Sequence, residues 1–437
     1  MKKVNSIPKG WYIFWLAGAV VCFGHGLIEF YRRLDRGTDL NCAYFAAKAI
    51  NAGHDIFTGC SGYIYPPFFA FMLTPLTLFT PETAKCIWLV ITLLLLFASL
   101  YLGFKLLAQA FQLQYTVWQA IAVCSLAVLF TYQSIMMELM QGQNDILSLA
   151  AIVFSLFFLK SLPFFSGSLL GLAAGIKYQG VIFLPWLLLR GRWQAALGLV
   201  AGFAMTVFLP ALKLGFHNNF QYWARALAGL KGITHSADLP LQYAAHMPSI
   251  LWISNISLTD GVIRIFLDQG WSIANAIALL AGIGLVLFLW IWERFRQNNI
   301  PFLWRNDKQF GVNQETAITI IEWSILLLGL LMFSPEVVRR HLLILLLVNL
   351  FSAVLVLFKS RSIKRSLMIT LIIVNQIGLL IRYPFTGHSI LNHWGLPGAS
   401  LLPELLIVLI GGLALYRDSH FRGIDSELIV VPLTAQL

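Results

Sequence analysis

The chain has 437 residues, of which 59% are hydrophobic and 11% charged, with a formal net charge of +11. Soluble domains carry roughly 25% charged residues, and a water-soluble protein of this size has no interior large enough for so much apolar surface. The composition therefore excludes a soluble globular domain and a disordered chain, and leaves an all-α polytopic membrane protein with lipid as the solvent of its outer face.

The excess of Lys and Arg suits cytoplasmic loops and anionic headgroups and calls for no nucleic-acid partner. In chain order, the first apolar run is 11–30. It is too long for a cleaved signal, and Tyr31-Arg32-Arg33 follows it rather than small residues, so it reads as a retained anchor. Loop 31–65 comes next. Within it the Ala-rich, amphipathic stretch after Thr38-Asp39-Leu40-Asn41 predicts an interfacial helix, capped by Thr38, Asp39 or Asn41 and ended by Gly53. Asp39 then has two readings. It is a helix cap, the commoner use of Asp here, or a carboxylate kept ionised by the helix dipole and available as a general base. The five cysteines show no metal-type spacing, and Cys42 and Cys60 can pair if this loop faces an oxidising compartment. The loop ends Tyr63-Ile64-Tyr65-Pro66-Pro67, where the prolines suit a first helical turn and the tyrosines an aromatic belt.

Further apolar runs are 85–109, 116–134, 143–160, 165–189, 193–212, 271–292, 316–334, 341–358, 366–382 and 401–416. With the short, Pro-bounded run 66–79 they make about twelve spans by the length rule. This count places Lys2, Lys3, Lys9, Arg190, Arg192, Arg294, Arg296, Arg305, Lys308, Lys359, Arg361, Lys364, Arg365, Arg417 and Arg422 on one side, the cytoplasm. Residues 1–437 then form one membrane domain with cytoplasmic termini, a tail at 417–437, and long external loops at 31–65 and 213–270. Should 66–79 re-enter and 165–189 break at Gly175–Gly180, those landmarks keep their sides, and the segment around Gln141–Asp145 moves to the outside.

Ionisable groups inside a membrane are costly and usually functional. Gln141-Gly142-Gln143-Asn144-Asp145 interrupts two apolar runs, either as a helix cap or as the polar floor of a cavity. Lys177 sits midway along an apolar run and needs a phosphate, a carboxylate such as Glu138, or a water-filled cavity. Ser334-Pro335-Glu336-Val337-Val338-Arg339-Arg340-His341 puts a basic pair on the side that positive-inside sorting leaves poor in charge. Arg339 and Arg340 are therefore candidate phosphate ligands, and His341 a candidate proton handler. His25 and Glu29 share a helix face, as a pair or as part of the same cavity. The second long loop carries His246-Met247-Pro248-Ser249, Asn255-Ile256-Ser257-Leu258 and the aromatics Tyr222, Trp223, Tyr243 and Trp252.

Taken in order, these residues resemble glycosyltransferase family 87 from about residue 35 to 350. The motifs are Asp39, Tyr44-Phe45-Ala46-Ala47, Gly53, Tyr65-Pro66-Pro67 and Pro75-Leu76, then Gly142-Gln143-Asn144, Gly171 to Lys177, Asn255-Ile256-Ser257-Leu258, and Ser334-Pro335 with His341. The family's Gly-Gln-x-Asn lacks its x here, and Tyr178 stands where a Pro usually follows the Lys. The resemblance implies a C-type glycosyltransferase fold and a polyprenyl-phosphate sugar donor, mannose being the family-level expectation. It also implies an acceptor that is a glycolipid or glycan at the external face of the inner or plasma membrane. The catalytic base it implies is Asp39. The donor-binding set is Lys177, Arg339, Arg340, His341, Gln143, Asn144, Tyr65 and Asn255. One displacement with one base inverts the anomeric centre, and the scheme requires neither metal nor cofactor. The rival reading is a transporter or flippase of a lipid-linked sugar. Such proteins often show two related halves, which this sequence lacks.

Overall fold

The computed structural model describes residues 8–60, 63–229, 250–252, 254–303, 311–358, 364–380 and 393–427, with side chains to 419. His246 to Ser249, Tyr243, Arg305, Lys308, Lys359 and Arg361 lie outside the described residues.

Every described apolar run is helical. Helix α1 is Lys9–Arg32, α2 Asp39–Ala52, α3 Pro67–Leu73 with a 3₁₀ turn Thr74–Leu78, and α4 Pro81–Ala110. Then come α5 Val117–Phe130, α6 Tyr132–Gln141, α7 Asp145–Phe158, α8 Pro163–Ile176, α9 Phe183–Leu189 and α10 Trp193–Phe208. After the short α11 Ala211–Leu214 follow α12 Phe216–Gly229, α13 Leu258–Asp268, α14 Ile273–Gln297 and α15 Val312–Phe333. A 3₁₀ segment Arg339–Leu345 leads into α16 Leu346–Leu357, followed by α17 Arg365–Leu380, α18 Leu401–Leu406 and α19 Gly412–Glu427.

Among the described residues, seven helical segments are long and apolar enough to cross a membrane, or eight if α5 and α6, bent by 72°, count as one. The chain is thus an all-α polytopic membrane protein, but with fewer full-length crossings than the expected twelve or so. The runs exist; several are broken. Helices α7 and α8 have 14 residues each, about 21 Å of helix against a hydrocarbon core of about 30 Å. Run 66–79 is helical only over Pro67–Leu78, turning from α to 3₁₀ at Thr74, and run 165–189 breaks at Lys177.

Two contacts bear on where Gln141–Asp145 sits. The unbroken twelve-span reading puts it at the opposite end of the bundle from loop 31–65. In the structure Gln143 touches Asp39 and Lys177 touches Asp145, so the break belongs to the same end as the first loop. This is the arrangement expected when 66–79 re-enters and 165–189 is split.

Helix α8 packs most extensively against α10. Gly167, Gly171 and Gly175 recur every fourth residue on one side of α8, against Ala195, Leu199, Gly202 and Thr206 of α10. Small residues at this spacing let backbones approach closely where lipid offers no hydrophobic drive. A Cβ on Gly171 would overlap the Leu199 carbonyl. Gly171→Leu is therefore expected to part the two helices and destabilise the fold by at least about 1–3 kcal/mol, read as a lower unfolding temperature in detergent. An unchanged temperature would contradict this packing.

At the far end from Asp39, Arg190 is buried rather than solvated. Its Nε and Nη2 lie 2.9 and 2.5 Å from the Glu322 carboxylate, which also accepts from Trp186 Nε1 at 2.9 Å.

Candidate active site

The first component is the start of α2. Thr38 precedes the helix in extended backbone, and the Asn41 side-chain oxygen accepts from the Thr38 N–H at 3.1 Å and hydroxyl at 2.8 Å. Gly53 closes the helix at φ 71°, as its sequence suggested. Thr38 and Asn41 do the capping, so Asp39 is not the cap. Its side chain is 50% exposed. Oδ2 accepts from Gln143 Nε2 and lies 3.3 Å from Arg340 Nη1.

Three features brace this region. Cys42 and Cys60 are joined in a disulfide that ties the end of the loop back to α2. Asp55 pairs with Arg225 of α12, whose guanidinium stands 4.7 Å from the centre of the Phe57 ring. Tyr63 is buried, donating to the Pro66 carbonyl at 2.8 Å and accepting from the Ala70 N–H at 3.1 Å. Tyr63 therefore clamps the start of α3 rather than joining an aromatic belt. Tyr65 turns to the cavity described below.

The second component is the break after α8. Lys177 is extended (φ −133°, ψ 125°), between the end of α8 and a 3₁₀ turn Tyr178–Ile182. Its Nζ lies 2.5 Å from Asp145 Oδ1, and both side chains are buried. The partner is thus Asp145 and not Glu138, whose Oε1 accepts from the Ile146 N–H at 3.0 Å. Asp145 is the first residue of α7, where the helix dipole adds to the attraction that keeps a carboxylate charged. Asn144 is buried beside it, makes no capping bond, and leaves both its amide atoms without a partner.

The third component is the segment after α15. Ile256 donates its N–H to the Val337 carbonyl at 2.7 Å, and Ser134 Oγ donates to the Arg339 carbonyl at 2.7 Å. These bonds fix the backbone from which two consecutive arginines diverge. Arg339 reaches Gln133 Oε1 at 3.2 Å and the Leu379 carbonyl. Arg340 reaches Asp39. His341 is buried, and its Nδ1 has no partner.

A cavity of ≈ 310 Å³ lies between these components. Tyr65 and Pro66 line it from the first loop, Lys177, Tyr178 and Gln179 from the broken span, and Ser334, Pro335, Glu336, Arg340 and His341 from the third segment. Ile64, Ile176 and Leu330 supply an apolar wall. Burial pushes the Glu336 carboxyl above the usual carboxylate range. The size fits a small polar ligand, and the lining is a few convergent charges on apolar surface, the usual character of a binding pocket.

Of the residues singled out in the sequence, Gln143 and Arg340 both meet Asp39, and Tyr65, Lys177, Arg340 and His341 share the cavity. Arg339 does not; it lines a separate, small cleft with Thr131, Gln133, Asn349 and Gln376. Asn144 and Asn255 do not line the cavity. Asn255 is buried, and its carbonyl accepts from Arg264 Nη2 at 3.1 Å. His25 Nδ1 meets the Tyr132 hydroxyl, and Glu29 pairs with Arg32 at 2.7 Å, so they neither pair together nor reach the cavity. Sequence reasoning missed Asp145 as the counter-ion of Lys177, and Glu336 and Gln179 as cavity lining. For Asp145 the signal was there: a buried lysine demands an anion, and Asp145 is one of the few acids in the apolar stretch before it.

The bundle carries a charged cavity at one end, and comparison with known proteins gives the class. Residues 63–306, more than half of the chain, match glycosyltransferase family 87, and the chain belongs to that family. It is similar to the polyprenol-phosphate-mannose-dependent alpha-(1-2)-phosphatidylinositol mannoside mannosyltransferase of Mycobacterium tuberculosis, at 23% identity over 236 residues. That match covers 50% of this chain and 54% of the relative, so the chain spans about half the length of the curated protein it matches. No solved structure matches.

Proposed function

We propose that this protein is an inverting hexosyltransferase that moves mannose from a polyprenyl-phosphate donor to a glycolipid or glycan acceptor. One observation carries the reading. Lys177, Arg340 and His341 line one cavity, and the half-exposed Asp39 carboxylate stands beside Arg340, held by Gln143. A lipid phosphate needs cations in a dry pocket, and an attacking hydroxyl needs a base that water-borne or membrane-borne acceptors can reach.

In the reaction, the acceptor oxygen bonds to the anomeric carbon as the bond from that carbon to the phosphate oxygen breaks. Its electron pair leaves on the lipid phosphate, and the acceptor proton passes to Asp39. Arg340 and Lys177 stabilise the charge that develops on the leaving phosphate, and His341 positions it. Gln143 fixes Oδ2 of the base, leaving Oδ1 for the acceptor. Arg339, facing its own cleft, has no part in this scheme.

The reading places the site on the external face, with both termini and the basic segments cytoplasmic. The Cys42–Cys60 disulfide favours that side, since disulfides persist in oxidising compartments. The bundle is of the C-type glycosyltransferase kind, one domain over 1–437, in which α3 re-enters from the Asp39 end and the α8–α9 pair from the opposite end.

Mass spectrometry of lipids and glycans from cells with and without the protein tests this. A mannosylated species lost on deletion, with its unmannosylated precursor accumulating, is the expected result. Unaltered glycans together with lipid-linked sugar trapped in one leaflet would favour the flippase reading instead.

A further inference from the structure

We propose that Arg340 serves two anions in turn: it holds the Asp39 carboxylate in the empty enzyme, and moves to the lipid phosphate when that phosphate enters, releasing Asp39 to the acceptor. The inference rests on the reading of the cavity given above and assigns a donor-dependent control to that site.

Two ion pairs differ in what it costs to open them. Each cation of the cavity already has a partner: Lys177 has Asp145 at 2.5 Å, and Arg340 has Asp39 at 3.3 Å. Glu336 adds another acidic group to the lining. An entering phosphate therefore finds no unengaged lysine or arginine in the lining, and it competes with a carboxylate for whichever cation it draws to itself. Opening Lys177–Asp145 strands a carboxylate whose side chain is 0% exposed, with Oδ2 already lacking a partner. Leaving a buried charge uncompensated is among the most destabilising changes available to a protein. Opening Arg340–Asp39 leaves Asp39 half in solvent and still bonded to Gln143. Partly exposed pairs of this kind contribute little, and the 3.3 Å separation is long for a charge-assisted bond. The Arg340 pair is the one that yields.

Arg340 is also equipped for the second partner. Its Nε is buried and donates to nothing, so the guanidinium keeps an unused donor. Nε and a terminal nitrogen together make the forked contact that arginine offers a phosphate. His341, next in the chain, also lines the cavity, and its Nδ1 has no partner. The backbone carrying both is pinned by Ser134, so the exchange needs only a side-chain movement. The base thus becomes most available when a donor is in place, which makes donor-then-acceptor the productive order.

The test is a double-mutant cycle on binding of a short-chain polyprenyl monophosphate, the leaving product without its sugar, to the purified full-length protein. Asp39→Asn is expected to bind this probe roughly two- to fivefold more tightly than the wild type, the scale of a partly exposed ion pair. Arg340→Gln is expected to bind it more weakly. Adding Asp39→Asn to Arg340→Gln is expected to change nothing further, because the competition has gone. Arg340→Lys, which keeps the charge, should restore the effect of Asp39→Asn. Equal affinity of Asp39→Asn and wild type would overturn the proposal. So would the same tightening with and without Arg340, which would reflect only the lost repulsion between two anions. No sugar transfer enters this measurement. Failure of the cycle leaves Asp39 as the proposed base, whereas normal transfer by Asp39→Asn removes that base whatever the cycle gives.

Discussion

Asp39→Asn is expected to lower the rate of sugar transfer by about 10²–10⁴-fold, the contribution typical of a positioned general base, without weakening the binding of a lipid phosphate. The change is nearly isosteric. It removes the proton acceptor but leaves an amide that can still meet Gln143, and the capping of α2 belongs to Thr38 and Asn41. The unfolding temperature should therefore stay within a degree or two of wild type, since changes at partly exposed positions are usually small. Turnover measured with labelled donor, beside binding of the lipid phosphate, separates the two effects. Loss of binding along with turnover would assign Asp39 to the donor site instead. A shared loss of turnover and stability would make it a structural residue.

The second large effect is expected at the buried pair. Lys177→Met leaves Asp145 without its counter-ion, and removing one partner of a buried pair costs about 3–5 kcal/mol. This should appear as a steep loss of folded protein in detergent. Lys177→Met combined with Asp145→Asn removes both charges and is expected to recover much of that stability, because a neutral pair of similar volume is tolerated. Lipid-phosphate binding should not recover, since the cavity has lost a cation. If the double variant regained both stability and binding, Lys177 would serve the fold alone. If neither variant lost stability, the pair would not be buried as described.

Much of this arrangement can be read from the amino-acid order. The start and stop of α2 follow from Thr38, Asn41 and Gly53, because local capping chemistry sets helix ends. The break in the 165–189 run is written in Gly175 and Gly180 on either side of a lysine that hydrocarbon rejects. What sequence cannot carry is azimuth and partner. Arg339 and Arg340 are equivalent neighbours on paper, but consecutive residues of a 3₁₀ segment project about a third of a turn apart, so one faces the cavity and the other Gln133. That choice depends on how α6 and α17 flank the segment, which is tertiary information. The count of full-length crossings among the described residues, seven or eight, falls below the expected twelve for a related reason. Hydropathy measures how long an apolar run is, not whether a polar contact inside it, such as Lys177 to Asp145, bends it back. Arg190 shows the same limit. It reads as a solvated landmark and is instead buried against Glu322 and Trp186.

The account stands or falls on whether this cavity supports sugar transfer from a lipid phosphate. The direct measurement uses purified protein in liposomes with radiolabelled polyprenyl-phosphate mannose and a membrane lipid extract, with Asp39→Asn as the comparison. The account predicts that label appears in a new glycoconjugate with the anomeric configuration inverted, and that Asp39→Asn forms almost none. Label that crosses the bilayer still attached to its polyprenyl phosphate, equally in both proteins, would contradict it.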